Sequence, residues 1–353
     1  MINRPRFTPA TLALAIILFV VLSACEEDNN PTGSPEPEIQ AGEFYVDVYD
    51  ATKACNGTTL FADLHDTTAP RLVEVNMNGE IVWEYDIPDD VKSYHQPGMD
   101  VELLANGNIL FVLPRYGIYE IDRDGDVAWS HLDSQVSHDA DRLPNGNTIY
   151  VFGAGDRFGD TQVKEVNPQG EVIWSWQASD HYNNEPYISC DREGWIHTNA
   201  ATRLQNGNTL LSLRNFSLTI EIEPQGAVVW EFDWKELYPT TNPLGHDPHE
   251  PEMQNGNQLL ICLQRDAPYQ IVELDRNIGQ PVWQYHRDHL RTSRDGDRLP
   301  NGNTLIVGVL EDTDDSVIFE ITNSGEIVWQ FKIKDTPATN SPGWFYKAQR
   351  ICR

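Results

Sequence analysis

The sequence has little positive charge, no long apolar run and no sustained helical period. Its 25 Lys and Arg residues stand against 54 Asp and Glu, so the formal net charge is −29 at pH 7. A surface this acidic repels nucleic acid and anionic lipid headgroups, which argues against both as binding partners. Because apolar residues do not recur at a 3.6-residue spacing, we expect little helix. An anionic substrate would need local positive charge, so any buried Arg or His is of interest.

The N-terminal apolar run is too short to cross a bilayer comfortably. Arg4 and Arg6 precede it, the run extends over 12–22, and small residues lead into Cys25. A positive region, a short apolar run and small residues, in this order, are typical of a secretory signal peptide. We therefore expect a signal peptide over 1–24. The polar, Pro-rich stretch that follows predicts a disordered tether over 25–41.

The ending Leu-Ser-Ala-Cys resembles the lipobox of bacterial lipoproteins, in which cleavage leaves the Cys as a lipidated N-terminus. The resemblance implies lipidation of Cys25, and acyl chains there would anchor the domain to a membrane without spanning it. It also implies an exported lipoprotein, located on the periplasmic face of the outer membrane or at the cell surface.

Cysteine is scarce, with four residues besides Cys25. They are Cys55, Cys190, Cys262 and Cys352. An exported protein can keep disulfides, and four thiols permit three pairings among which spacing cannot choose. A bridge between Cys55 and Cys352 would join the start of the folded region to its end. Cys262 lies in an apolar strand, where we expect a buried thiol.

A repeated pair of landmarks runs through the chain. Asn-Gly precedes a β-branched or Leu-rich run, and an aliphatic-Trp step follows roughly two dozen residues later. The first landmark falls at Asn56, Asn106, Asn145, Asn206, Asn255 and Asn301. The second falls at Trp83, Trp129, Trp174, Trp230, Trp283 and Trp329. Six copies in one phase indicate a propeller or a solenoid.

Each unit is typical of β-strands joined by tight turns. In the third unit we predict strands at 147–152, 162–166 and 171–176, and the turns between units and strands contain Asn-Gly, Asp-Gly or Pro-Gln-Gly. These dipeptides supply the positive φ angles that short hairpins need.

Six such units predict an all-β fold, a six-bladed β-propeller over 42–353. Radial closure protects the edges of so many short strands. We expect the strands at 42–48 and 344–351 to complete one blade together, so that pairing of N- and C-terminal strands closes the ring. The six Trp residues of the repeat are interpreted as packing between blades, not as ligand contacts.

Histidines and acids collect in the segments just before each Asn-Gly. We interpret the strand after Asn-Gly as the innermost strand of each blade, so that these segments meet on one face around the central channel. The histidines in these segments are His95, His138, His197, His246 and His249. The others are expected in outer turns or at strand ends: His65, His131, His181, His286 and His289.

Arg214 is a further candidate for this face. Side chains alternate along a strand, so Ser212 and Arg214 should lie opposite Leu211 and Leu213. An Arg near the axis offers a fixed set of donors for a sulfate, a phosphate or a carboxylate.

At this point the residues resemble a known family. The segment Trp-Ile-His-Thr-Asn at 195–199 and the segment Leu-Ser-Leu-Arg-Asn at 211–215 are similar to those of bacterial arylsulfate sulfotransferases. Members of that family are six-bladed propellers that move a sulfuryl group between phenols without a nucleotide donor. Through the repeats, the resemblance extends over nearly the whole chain after the signal peptide.

The resemblance implies roles for individual residues. His138, His197 and Arg214 would be catalytic, and Asn199 and Ser212 would bind substrate. His95, in the corresponding segment of its own unit, is predicted to bind substrate with them.

The sulfuryl-accepting histidine of the family falls within 245–252. Both His246 and His249 lie there, and we favour His249. A neutral imidazole would attack the sulfur of an aryl sulfate, and the resulting sulfohistidine would pass the group to a second phenol. The acids Asp139, Asp247 and Glu250 are interpreted as orienting the imidazoles.

The implied partners are a small phenolic donor and a small phenolic acceptor, and neither a cofactor nor a metal is required. Two alternatives remain open. One is a non-catalytic binding propeller at the cell surface, since fold alone does not determine function. The other is a propeller-type polysaccharide lyase, in which Tyr187 or Tyr94 would serve as the base.

Overall fold

The computed structural model describes residues 42–265, 267–311, 313, 315–334 and 345–353. The predicted signal peptide, the lipidation site Cys25 and the predicted tether lie outside these residues. Helical elements are single turns, at α1 (Trp234–Leu237) and in the 3-10 turns Lys92–Tyr94, Ala178–Asp180 and Arg214–Phe216. Across the described ranges, no helix has the length and apolar character needed to traverse a bilayer.

The strands form six antiparallel sheets, the blades of a six-bladed β-propeller. Blade one contains β25 (Ala348–Cys352), β2 (Gly57–Asp63), β3 (Arg71–Asn76) and β4 (Ile81–Asp86). Blade two contains β5 (Val101–Leu103), β6 (Ile109–Leu113), β7 (Gly117–Ile121) and β8 (Val127–Leu132). Blade three contains β9 (Ser137–Arg142), β10 (Thr148–Val151), β11 (Val163–Val166) and β12 (Val172–Trp176). The three strands predicted for the third unit are therefore confirmed to within one residue.

The remaining blades repeat the pattern. Blade four contains β13 (Thr198–Arg203), β14 (Thr209–Leu213), β15 (Leu218–Ile222) and β16 (Val228–Asp233). Blade five contains β17 (Pro248–Met253), β18 (Gln258–Leu263), β19 (Ile271–Asp275) and β20 (Gln280–Tyr285). Blade six contains β21 (Leu290–Arg298), β22 (Thr304–Leu310), β23 (Ser316–Ile321), β24 (Ile327–Ile333) and, at its outer edge, β1 (Phe44–Tyr49).

The strand named first for each blade lies at the axis. These axial strands are β25, β5, β9, β13, β17 and β21. Lys347, next to β25, reaches three other blades, because its Nζ lies 2.5 Å from Asp139 Oδ1, 2.8 Å from Glu250 Oε1 and 3.5 Å from Asp100 Oδ1. The segments just before Asn-Gly are therefore innermost strands themselves. Our prediction that the innermost strand follows Asn-Gly is wrong, since in blades two to six Asn-Gly forms the turn from the first strand to the second.

The ring is closed by pairing between the two ends of the chain, as predicted, but the paired strands differ. The C-terminal strand β25 pairs with β2, so that Cys352 stands opposite Gly57. The N-terminal strand β1 instead pairs with β24 of the neighbouring blade. The two terminal strands thus complete two adjacent blades. Blade one begins along the chain with its second strand, β2, and the C-terminal strand β25 therefore fills its axial position.

A disulfide joins Cys55 to Cys352 at this closure. It is one of the three pairings that spacing left open. Cys190 and Cys262 are free thiols, and Cys262 is buried as expected.

A junction of three side chains recurs between successive blades. A Glu of the third strand stands opposite the Trp of the fourth, as Glu165 does opposite Trp174. An Arg of the next blade pairs with this Glu and covers the indole ring. Arg203 Nη2 lies 2.7 Å from Glu165 Oε2, and its guanidinium carbon lies 4.8 Å from the Trp174 ring centre. The indole N–H donates to Pro224 O, also in the next blade, at 2.8 Å.

All six junctions have the same Glu–Arg ion pair and the same Arg–indole contact. The triplets are Glu74–Trp83–Arg123, Glu120–Trp129–Arg142, Glu165–Trp174–Arg203, Glu221–Trp230–Arg276, Glu273–Trp283–Arg298 and Glu320–Trp329–Arg350. The six Trp residues therefore lie between blades, which confirms their interpretation as packing residues. An Arg over an indole contributes roughly 0.5–2 kcal/mol in such contacts.

Carboxylates at the innermost strands connect neighbouring blades at four of the junctions. Asp100 Oδ2 accepts a hydrogen bond from Ala140 N at 3.1 Å, and Asp295 Oδ2 accepts one from Ala348 N at 2.9 Å. Burial raises the pKa of Asp100 to about 6 and that of Asp295 to about 7. These acids bind backbone N–H groups, so they serve the ring rather than a ligand.

Lys347 neutralises part of this acidic axis. Burial alone would lower its pKa, but the carboxylates of Asp100, Asp139 and Glu250 raise it well above the ordinary value. The ammonium group is therefore charged, and it holds carboxylates from three blades together.

Replacing Lys347 with Met would leave these buried carboxylates without their cation. We expect Lys347→Met to lower the free energy of unfolding by about 3–5 kcal/mol, because breaking a buried ion pair leaves uncompensated charge. The measurement is the urea unfolding midpoint at pH 7. Lys53→Met, which removes an exposed lysine that pairs with Glu326, is the matched control and should leave the midpoint nearly unchanged. Equal midpoints for the wild type and Lys347→Met would contradict this role.

Candidate functional site

A cavity of about 1030 Å³ opens at the end of the axis where the innermost strands begin. Four of the predicted residues are in its wall: His138, His197, Arg214 and His249. The structure thus brings side chains from three blades to one mouth, while their chemical roles stay predictions. None of the five histidines expected at outer positions lines this cavity.

Left-handed backbone conformations place two of these histidines. His138 has φ 66° and His197 has φ 57°, a region that residues with a Cβ rarely adopt and that is found at functional sites. A glycine leaves room for the His138 ring, since a Cβ at Gly98 would lie 3.1 Å from His138 Cδ2. Gly98 O also accepts a hydrogen bond from the His138 N–H at 3.0 Å.

The His138 and His197 rings form a directed pair. His197 Nδ1 lies 3.0 Å from Glu193 O, and since a carbonyl oxygen only accepts, this nitrogen carries the proton. Burial lowers the pKa of His138 to about 3 and that of His197 well below its ordinary value, so both rings are neutral at pH 7. His138 Nε2 then donates to His197 Nε2 at 3.1 Å. The remaining lone pair lies on His138 Nδ1, which has no hydrogen-bond partner among the described residues.

A buried carboxylate holds the backbone around His197. Asp156 accepts hydrogen bonds from Ile196 N at 3.2 Å and from His197 N at 3.1 Å. Gly194 permits this approach, because a Cβ there would lie 2.5 Å from Asp156 Oδ1. Burial raises the pKa of Asp156 to about 6. Sequence reasoning missed Asp156, since it lies in a Gly-rich turn that matches no motif.

His249 has its unprotonated nitrogen on the other side of the ring. Nδ1 lies 2.8 Å from Asp247 O and therefore carries the proton, which leaves the lone pair on Nε2. Gln264 Nε2 lies 3.3 Å from His249 Nε2 and also donates to Ser293 O at 3.1 Å. Burial, together with the charge of Arg214, lowers the pKa of His249 well below its ordinary value. At pH 7 the imidazole is neutral.

His246 has a different environment. It is fully buried, with Nδ1 3.0 Å from Arg265 O and Nε2 2.5 Å from Tyr238 O. The ring therefore connects two backbone segments, and it does not line the cavity. Of the two competing histidines, His249 is the one in the cavity wall.

Arg214 lies in the 3-10 turn after β14, the second strand of its blade rather than the innermost strand we predicted. Its Nε donates to Asn215 Oδ1 at 3.1 Å, and its Nη2 donates to Arg192 O and to Glu193 Oε2, both at 3.0 Å. Burial would raise the pKa of Glu193, but Arg214 lowers it below the ordinary value. The Glu193 carboxylate thus takes the position beside the Arg214 guanidinium at which an anionic ligand would bind.

The interpretation of three acids as orienting imidazoles is wrong. Asp139 and Glu250 pair with Lys347. Asp247 bridges two guanidinium groups, 2.7 Å from Arg192 Nη2 and 2.6 Å from Arg265 Nε. The histidines are oriented by backbone carbonyls, because the carboxylates neutralise buried cations instead.

The three residues predicted to bind substrate lie outside the cavity wall. Asn199 on β13 and Ser212 on β14 are fully buried, and their side-chain polar atoms have no partner in the described part of the chain. His95 is partly buried, with Nδ1 2.5 Å from Lys92 O. Contact between these residues and a substrate stays a prediction. Within the described ranges, no group of three or more His, Cys, Asp or Glu side chains is placed to hold a metal ion.

Arg294 and Tyr346 also line the cavity, and sequence reasoning missed both. The Tyr346 ring lies edge-on to His138 with centres 5.4 Å apart, and the Arg294 guanidinium carbon lies 5.7 Å from the Tyr346 ring centre. A positional signal existed. Four residues of the cavity wall each stand directly before a charged residue of the axis. The pairs are His138–Asp139, His249–Glu250, Arg294–Asp295 and Tyr346–Lys347. Corresponding positions of four blades therefore build one face of the cavity.

The fold and the site define a propeller whose axial cavity carries neutral imidazoles beside guanidinium groups. The chain belongs to the arylsulfotransferase (ASST) family, whose family model matches residues 40–243. This match contains His138, His197 and Arg214, and it ends before His246 and His249. A second family model, described as outer membrane protein assembly factor BamB, matches residues 159–350. A search of curated proteins found no match to the sequence.

Several solved structures are similar to this chain. A protein of unknown function from Bacteroides caccae is 20% identical, with 83% of this chain and 98% of that chain covered and a TM-score of 0.57. Virginiamycin B lyase from Staphylococcus aureus is 13% identical, with 81% and 88% covered and a TM-score of 0.47. BamB from Moraxella catarrhalis is 11% identical, with 79% and 91% covered and a TM-score of 0.43.

Replacing Glu193 with Gln would remove the carboxylate that occupies Arg214. We expect Glu193→Gln to bind inorganic sulfate up to about fivefold more tightly, because the Glu193 side chain is 71% exposed and an ion pair with an exposed partner is worth about 1 kcal/mol or less. The measurement is isothermal titration of the protein with sulfate at pH 7. Asp191→Asn is the matched control, since it removes the same charge from the cavity wall without touching the Arg214 pair. An equal gain in both variants would show a general charge effect and contradict competition at Arg214.

Proposed function

We propose that the protein transfers a sulfuryl group from an aryl sulfate to a phenol through a sulfohistidine at His249. The observation that carries this proposal is the neutral His249 ring in the cavity wall, with Nδ1–H held by Asp247 O and the lone pair on Nε2. Membership of the arylsulfotransferase family supports the reaction class. The histidine as nucleophile and the phenolic substrates belong to the proposal.

In the first half-reaction, His249 Nε2 attacks the sulfur of the donor. A bond forms between nitrogen and sulfur, the bond from sulfur to the aryl oxygen breaks, and the phenolate leaves with the electron pair. His249 becomes a sulfohistidine with no net charge, in which the imidazole ring is positive and the sulfonate is negative. Asp247 O stabilises the positive ring through the Nδ1–H that it already accepts. Arg214 and Arg294 line the same cavity, and we assign them to the sulfuryl oxygens, with the substrate displacing Glu193 from Arg214. Preorganised donors of this kind are typically worth roughly 3 kcal/mol each.

In the second half-reaction, the acceptor phenol attacks the same sulfur. The nitrogen–sulfur bond breaks, and the electron pair returns to His249 Nε2. The phenol must lose its proton, and we assign the uptake of this proton to the neutral His138 imidazole, which lines the same cavity. His197 holds this ring in place by accepting from His138 Nε2. The lowered pKa values of His138 and His249 keep both rings unprotonated at neutral pH, so each ring retains a nitrogen lone pair.

A non-catalytic binding propeller is the second candidate function. The match to the BamB family model over 159–350 is compatible with it. The lyase alternative has less support from the site, since Tyr94 and Tyr187 do not line the cavity. Tyr94 stacks on Tyr116 with ring centres 4.3 Å apart, and Tyr187 packs against Phe216 at 4.7 Å.

We also propose that the protein is exported and anchored through a lipid on Cys25. The signal-like N-terminus supports export, and so does the disulfide between Cys55 and Cys352, because disulfides persist in oxidising compartments. An external enzyme of this kind would act on phenols outside the cytoplasm.

The transfer is tested by incubating the purified protein with 4-nitrophenyl sulfate and phenol while following 4-nitrophenolate absorbance. We expect release that depends on phenol and falls by at least about 10³-fold in His249→Ala, because removal of a nucleophile removes the covalent route. His286→Ala, which removes an exposed imidazole far from the cavity wall, is the matched control.

No release with any phenol would contradict transfer and favour the binding propeller. Loss of release in His246→Ala, with activity kept in His249→Ala, would move the nucleophile to His246. Release of unsaturated sugar ends from a uronate polymer would support the lyase instead.

A further inference from the structure

Two arginines at the mouth of the cavity have no part in the proposed chemistry. Arg115 and Arg157 both line the cavity and are exposed. In the described part of the chain, neither guanidinium is paired with a carboxylate, whereas Arg214 and Arg265 each pair with one. Unpaired cations at a cavity mouth are notable in a chain whose net charge is −29.

The fold places both arginines on one side of the mouth. Arg115 follows β6, and its backbone N–H donates to Val136 O at 2.7 Å. Its guanidinium lies against the loop that carries Arg157, since a Cβ at Gly155 would lie 3.0 Å from Arg115 Nη2. Gly155 has φ 83° and no side chain, so it admits the guanidinium at this position.

The same loop provides an aromatic surface. Phe158 is 51% exposed, unusual for a Phe, and it lines the cavity. Its ring lies edge-on to Trp195 with centres 4.8 Å apart. Ile188, 44% exposed, continues the apolar surface. Exposed apolar residues beside a cavity mark a ligand-binding surface.

The acids of the cavity wall do not neutralise these arginines. Asp156 binds backbone N–H groups, Glu193 pairs with Arg214, and Asp247 pairs with Arg265. The fourth acid, Asp191, is exposed and pairs with neither arginine among the described residues.

We propose that the phenols used by this protein carry a second anionic group, a carboxylate or a second sulfate, that binds Arg115 and Arg157. The aromatic ring lies on Phe158, and its phenolic oxygen points toward His249 and His138. Arg214 binds the sulfuryl group, so the two arginines at the mouth recognise the other end of the molecule. This inference rests on the proposed function and adds the class of substrate to it.

The preference is measured with two acceptors of similar shape, 4-hydroxybenzoate and its neutral counterpart 4-hydroxybenzamide, with 4-nitrophenyl sulfate as the donor. We expect kcat/KM to be about fivefold to tenfold higher for the benzoate, because two exposed guanidinium groups act on one carboxylate. In the Arg115→Gln, Arg157→Gln double variant this ratio falls to about one. Added salt lowers the wild-type ratio, since the contacts are exposed.

The control variant is Lys53→Gln, which removes an exposed cation at the opposite end of the blades, beside the Asn-Gly-Asn turn of blade six. It should keep the wild-type ratio. A wild-type ratio of one or less, or the same ratio in the double variant as in the wild type, would overturn the proposal.

Binding measurements separate this proposal from the proposed function. If neither phenol accepts a sulfuryl group, the transfer proposal fails, and titration calorimetry still compares the affinities of the two phenols. Tighter binding of 4-hydroxybenzoate that is lost in the double variant supports the anion site. Equal affinities of the wild type for both phenols overturn it.

Discussion

The junction of Glu, Trp and Arg between successive blades is the contact on which the rest of the structure depends. A guanidinium that stacks on an indole and pairs with a carboxylate binds through its face and its edge at once. In the closing junction the side chains of Arg350 and Glu320 are fully buried, and the Arg350 guanidinium carbon lies 4.2 Å from the Trp329 ring centre. Because every blade meets the next through the same contact, the innermost strands begin at a common end of the axis.

That common end explains why the cavity has the residues it has. In four blades, the residue directly before the charged axial side chain lines the cavity. It is His138 in blade three, His249 in blade five, Arg294 in blade six and Tyr346 in blade one. Burial then sets the chemistry, because it lowers the pKa of His138 and His249 and keeps their rings neutral beside guanidinium groups.

The fold was accessible from the sequence because Asn-Gly turns and Trp steps are local features with a fixed period. The strand at the axis was misassigned because period alone does not tell which strand of a repeat is innermost, and only contacts such as those of Lys347 with three blades reveal it. Four cavity residues were predicted from clustering and family resemblance. Asp156 and Tyr346 were missed, since their roles depend on long-range contacts: Asp156 binds backbone 40 residues away, and Tyr346 reaches His138 only through ring closure.

The cavity therefore joins an acidic ring, which the protein needs for closure, to a cationic mouth, which an anionic substrate needs for binding.

The central claim is that His249 Nε2 receives the sulfuryl group. The most direct test is mass spectrometry of the protein after incubation with 4-nitrophenyl sulfate in the absence of an acceptor, followed by peptide mapping under non-acidic conditions. Our account predicts one added sulfuryl group on the peptide that contains His249, located on the imidazole. An unmodified protein, or a sulfuryl group on Tyr346 or on another histidine, would contradict it.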